Sequence, residues 1–140
     1  MDPLTVARSC VDRMYADDTA SQALGIAISD VAPGTATATM VVRSDMVNGH
    51  GIGHGGYVFT LADTAFAFAC NTYDERTVAA GADVTFLEPV HAGEALTATA
   101  TERSRRGRSG LYDVTVRRED GTVVAEFRGR SRSLGKPLLT

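Results

Sequence analysis

The order of two hydrophobic periodicities limits this chain more than any single residue does. Residues 57–73, YVFTLADTAFAFACNTY, form an almost unbroken apolar run. That run is too long for an ordinary strand, and its alanines and leucine favour a helix. Every later segment alternates with period two, as strands with one buried face do. TVAAGADVTFL (77–87) puts Val78, Ala80, Ala82, Val84 and Phe86 on one face; ALTATATE (95–102), LYDVTVRR (111–118) and TVVAEFRGRS (122–131) follow. EPVHAGE, SRRGRSG and EDG break these runs, and Asp120-Gly121 is a strong hairpin signal. Upstream, LTVARSCVDRMY (4–15) has helical spacing, ALGIAISDVAPG reads as extended up to a Pro33-Gly34 turn, and TATATMVVR (35–43) as a half-buried strand.

The predicted order is helix, two strands, one long buried helix, then four meandering strands. Short turns make the sheet antiparallel, and its apolar face needs a cover that only the long helix is large enough to supply. The expected class is α+β, one helix wrapped by a curved antiparallel sheet. A length of 140 residues suits one domain with a real core. A formal net charge of -3 argues against a general nucleic-acid binder. No run approaches the roughly 18 apolar residues of a membrane span, and MDPLTVARSC lacks the pattern of a signal peptide. Cys10 and Cys70 form no CxxC pair and read as reduced thiols. A cytoplasmic protein is expected.

The chemistry-bearing stretch is NGHGIGHGGYVFTLADTAFAFACN, residues 48–71. Gly51, Gly53 and Gly56 satisfy GxGxxG, but a dinucleotide fold would continue with helices where this chain continues with strands. His50 and His54 stand four residues apart, yet in a glycine loop with no third ligand at a recognised spacing, so no metal is called for. A third reading uses the start of the helix. Its first N–H groups lack internal partners and carry partial positive charge. Gly55 and Gly56 would let a substrate oxygen approach them, which suits a polarised carbonyl. His54 would either donate to the same oxygen or brace the loop.

Asp63 is the one acid of the apolar segment, and a buried carboxylate is costly unless paired or functional. Thr60, Asp63, Thr64, Ala67 and Asn71 make one narrow stripe of small or polar residues. Such a stripe is either polar packing across an interface or the wall of a site whose carboxylate acts as nucleophile or base. Asp63 lies eight residues beyond Gly55, about 12 Å along a helix. The two cannot touch one carbonyl within one chain, but antiparallel helices of a two-fold dimer can bring one chain's Asp63 to the other's Gly55.

This stretch, with GADVTFLEPVHAGEALTATA, GRSGLYDVTV and FRGRSRSLG downstream, strongly resembles the hotdog-fold acyl-CoA thioesterases of the phenylacetic acid degradation type. The resemblance implies a helix enclosed by a curved sheet, dimers formed by sheet extension and commonly doubled to tetramers, and hydrolysis of a coenzyme A thioester. It implies no cofactor beyond the coenzyme A of the substrate. Carried over by position, Gly55 is the backbone donor to the thioester carbonyl and Asp63 the nucleophile or base from the opposite subunit. His54 and Asn48 are supporting polar residues, and Thr64 stands beside the carboxylate. The expected substrate is phenylacetyl-CoA, its hydroxylated form or a related aryl-acyl-CoA. Arg103, Arg105, Arg106 and Arg108 on one turn, with Arg128, Arg130 and Arg132 on the last strand, are candidates for the coenzyme's phosphates. The rivals are a hotdog hydratase or dehydratase and a non-catalytic acyl-CoA binding module.

Overall fold

The computed structural model describes residues 1–140. Helix α1 (Pro3–Asp17) opens on an Asp2 cap and is followed by a short helix α2 (Thr19–Ala23). Strands β1 (Ala27–Ala32) and β2 (Thr35–Val41) precede a single turn of 3-10 helix, Ser44–Met46, and the glycine loop. Helix α3 (Gly55–Cys70) then leads into β3 (Thr77–Phe86), β4 (Ala95–Arg106), β5 (Ser109–Arg118) and β6 (Val123–Ser133).

All neighbouring strands pair antiparallel in one 6-stranded sheet of order β1-β2-β4-β5-β6-β3. The expected meander therefore fails at its first step. Strand β3 pairs with β6, not β4, and stands at an edge; β4 fits between β2 and β5. The connection after β3 carries the chain past the head of α3, where Gly53 N–H donates to the Val90 carbonyl at 2.7 Å. It then joins the end of β2 through Val42 N–H to the Glu94 carbonyl, 2.9 Å. The edge position also splits the predicted apolar face of β3, of which Ala82 and Val84 pack against the core. A bulge between Ala79 and Gly81 shifts its register, and Val78 and Phe86 remain 48% and 51% exposed.

The alternation of β2 and β4 explains why α3 fits the sheet. Ala36 and Ala38 sit opposite Ala100 and Ala98, all buried, while the intervening threonines face away. These small side chains form a shallow trough under α3, whose Leu61, Phe66 and Phe68 are fully buried. Gly129 on β6 completes it: a Cβ there would lie 2.7 Å from the Phe66 ring. One 25-residue apolar cluster joins helix and sheet. Neither Cys10 nor Cys70 forms a disulfide, and both are buried. No helix is long and apolar enough to cross a membrane.

Candidate active site

The head of α3 is built by its own loop. Asn48 accepts at Oδ1 from the N–H of His50 (2.9 Å), and its own N–H donates to the Ile52 carbonyl (2.8 Å), folding the glycines into a compact turn. His54 is the N-cap: its Nδ1 accepts from Gly56 N–H at 2.9 Å, and its own N–H donates to the Met46 carbonyl. A neutral His54 therefore carries its proton on Nε2, which remains a donor. The ring meets Tyr57 edge-on, 6.1 Å between centroids.

This capping divides the two glycines that the sequence treats alike. Gly56 gives its amide to His54 and has none left for a substrate. Gly55 keeps an N–H with no partner in the chain, at the positive end of the helix. The reason for glycine at 55 is also different from the one expected. The Phe86 ring from the end of β3 packs against it, and a Cβ would come within 2.9 Å of Cζ. Beside this amide opens a cleft of about 580 Å³ whose apolar lining includes Ile52, Val58, Phe86 and Val90, with Asn48 at its margin.

Asp63 lies farther along α3, about 12 Å from Gly55 by helical rise. Gly56, Thr60, Asp63 and Ala67 form the line of the helix that the sheet leaves partly open, whereas Thr64 and Asn71 are buried. The predicted stripe thus splits. Asn71 closes the helix, its side chain exchanging hydrogen bonds with the Thr77 backbone at 2.9 Å each way. The hydroxyls of Thr60 and Thr64 do not serve the carboxylate: they donate to the Gly56 and Thr60 carbonyls at 2.8 and 2.7 Å. Burial alone pushes the Asp63 carboxyl above its ordinary value, with no hydrogen bond or cation in the chain to pull it back.

A free amide at a helix head and an isolated half-buried carboxylate farther along the same helix are the frame on which comparisons with known proteins bear. The profile of the Thioesterase superfamily matches residues 50–125. The chain is similar to the acyl-coenzyme A thioesterase PaaI of Escherichia coli, 44% identical over 122 residues that cover 87% of each chain. It belongs to the thioesterase superfamily. The solved structure of the E. coli PaaI protein from the phenylacetic acid degradation operon matches it with a TM-score of 0.95 at 40% identity, over 97% of this chain and 99% of that one. A mutant of the phenylacetic acid degradation protein PaaI from Thermus thermophilus gives 0.80 at 38% identity, over 84% and 100%. The chain is thus a thioester hydrolase with the hotdog fold.

The arginines of this thioesterase are sorted by their partners. Strand β4 runs on to Arg106, so Gly107 and Arg108 alone form the turn where the sequence suggests four arginines. Arg128 holds Asp113 through two bonds of 2.7 and 3.0 Å, and Arg103 approaches the same carboxylate at 3.5 Å. Arg130 pairs with Asp83 at 3.0 Å. Arg105 lies over the Tyr73 ring, 3.8 Å from its centroid, and within 3.6 Å of Glu75. Arg106 and Arg108 have no carboxylate partner. Arg105 and Arg108 border the end of α3 opposite Gly55, where they share a crevice with Cys70 and Tyr73. Sequence reasoning missed Phe86 and Val90 at the cleft, because their loop was not predicted to return to the head of α3.

Proposed function

We propose that this thioesterase hydrolyses coenzyme A thioesters of aryl-acetyl type, phenylacetyl-CoA or its hydroxylated form, in sites shared between two subunits. The observation that carries the reading is the pair of unpartnered groups on α3: the Gly55 N–H and the Asp63 carboxylate. The thioester oxygen accepts from Gly55, and the helix head stabilises the charge that develops on it. Asp63 of the other subunit attacks the carbonyl carbon, giving an anhydride and releasing the thiolate, or removes a proton from the water that attacks. In the first route water then hydrolyses the anhydride and restores the Asp63 carboxylate, so either route ends in free acid and coenzyme A. Asn48 and His54 shape the loop that aims the amide, and Thr64 packs beside the carboxylate.

Two features support a shared site. The uncovered line of α3 is the one that carries Asp63, and the neighbouring edge strand β3 leaves apolar Val78 and Phe86 exposed. A second copy laid antiparallel would cover both, and two such dimers would make a tetramer. The apolar cleft beside Gly55 supports an aromatic acyl group. The test is thiol release from a panel of acyl-CoAs. Turnover of saturated substrates, which offer nothing to hydrate, with phenylacetyl-CoA preferred over aliphatic esters of similar size, is expected. Binding without turnover would leave an acyl-CoA binding module, and equal rates on aliphatic esters would remove the aryl assignment.

A further inference from the structure

Of the residues that line the apolar cleft beside the Gly55 amide, Glu88 alone is charged. It stands on the connection after β3, among Phe86, Leu87, Pro89 and Val90, which line the same cleft. The backbone on both sides of it is held. The N–H groups of Leu87 and Glu88 donate to the Val124 carbonyl at 2.8 and 3.3 Å, and the Val90 carbonyl accepts from Gly53 N–H at 2.7 Å. The Pro89 carbonyl accepts from Arg118 at 3.0 Å. Arg118 does not neutralise Glu88, because it faces Glu94 at 3.7 Å and Asp120 at 3.8 Å. The Glu88 carboxylate has no hydrogen bond or ion pair in the chain, whereas Glu94 on the same connection takes both His91 and Arg118.

An exposed carboxylate without a partner is ordinarily solvated charge with no task. This one is fixed beside the amide that holds the reacting carbonyl. Once the thioester oxygen is on Gly55, the acyl group fills the cleft and displaces water, which strengthens the interaction between charges there. A neutral acyl group packs on Ile52, Phe86 and Val90 and gains or loses little from Glu88. A second carboxylate on the acyl group is set against Glu88, with no cation in the lining to answer it. Like charges ~6 Å apart, at an effective dielectric constant of ~40, disfavour binding about ten-fold. Resting on the reading that this cleft takes the acyl group, we propose that Glu88 selects substrates by charge. It admits thioesters of monocarboxylic acids and turns away the half-thioesters of dicarboxylic acids.

The test compares an anionic with a neutral acyl group of matched size, 4-carboxyphenylacetyl-CoA against 4-methylphenylacetyl-CoA. The ratio of their kcat/KM values cancels what the common coenzyme contributes. Wild type should favour the neutral ester, E88Q should raise the anionic-to-neutral ratio about ten-fold, and E88R should raise it further. Salt should narrow the gap in wild type. Asp17→Asn removes an equal charge from the exposed C-terminal end of α1 and should leave the ratio unmoved. A ratio unchanged in both Glu88 variants, or moved equally by Asp17→Asn, would overturn the assignment. So would an equal change on both esters, which would set Glu88 against the coenzyme instead. Adipoyl-CoA and heptanoyl-CoA repeat the comparison without a ring, so failure of the aryl reading is told apart from failure of this one. If no ester is turned over, the same ratios taken from dissociation constants decide the role of Glu88 independently of hydrolysis.

Discussion

Replacing Gly55 by proline isolates one hydrogen atom. Gly55 is the first residue of α3, the position where proline is most at home in a helix, since its missing N–H would have no internal partner. The preceding His54 has φ -66 and ψ 129, extended as a residue before proline should be. The His54 cap on Gly56 N–H is untouched. The new Cβ meets the Phe86 ring 2.9 Å from Cζ, the far end of a side chain, which can give by a few tenths of an ångström. Restricting the unfolded chain favours folding by about 0.4–1 kcal/mol, which offsets the crowding. Stability should stay within about 1 kcal/mol of wild type, or about 4 °C in Tm. Activity should not survive. Loss of one donor to a developing oxyanion lowers kcat by about 10²–10³-fold. Gly55→Ala supplies the same Cβ against Phe86 and keeps the N–H, so it measures the crowding alone. Thiol release from saturating phenylacetyl-CoA should fall at least ~10²-fold further for proline than for alanine. Equal kcat for the two, with both folded, would refute the amide as the carbonyl's partner.

Asp63→Asn should lower thiol release at least ~10²-fold while leaving the protein as stable or more so, because it removes a poorly partnered charge. Folding raises the Asp63 pKa, so its contribution to stability is full below the unfolded value and is lost as pH rises through the folded one. Urea midpoints at fixed protein concentration should therefore move in favour of Asp63→Asn between mildly acidic and neutral pH; a shift the other way contradicts burial as the cause. Since the ionised carboxylate is the working form, the acid limb of the kcat–pH profile should sit above the ordinary aspartate value, as burial dictates, and should be absent from the residual activity of Asp63→Asn. Exhaustive chelation should leave turnover intact; loss that zinc restores would bring back His50 and His54 as metal ligands.

What the sequence reveals follows from where the physics is local. Period-two alternation and the long apolar run mark α3 and the strands β2 to β6, because burial of one face is written residue by residue, whereas β1 reads only as an extended stretch before a turn. Sheet order is not: β3 alternates like its neighbours, and nothing within it says that residues 87–94 will carry the chain past α3 to β2. The site shows the same division. Gly55 and Asp63 stand out from helix-end and burial arguments that need only neighbouring residues. The capture of Gly56 by His54 also involves near neighbours, yet it depends on a rotamer that spacing does not show. Phe86 at Gly55 and Asp83 at Arg130 are encounters between distant segments, and those decide which glycine and which cations remain available.

The central claim is that one active site takes its amide from one subunit and its carboxylate from the other. Gly55→Pro and Asp63→Asn chains, each nearly inactive alone, are unfolded, mixed in equal amounts and refolded. Random pairing makes about half the dimers mixed. In a mixed dimer one site collects both lesions and the other collects neither, so roughly a quarter of all sites should be intact and thiol release should recover to about that fraction of wild type. If mixed dimers are shown to be present by tagging one chain, and turnover stays at the level of the parents, Gly55 and Asp63 do not belong to one site shared between two chains.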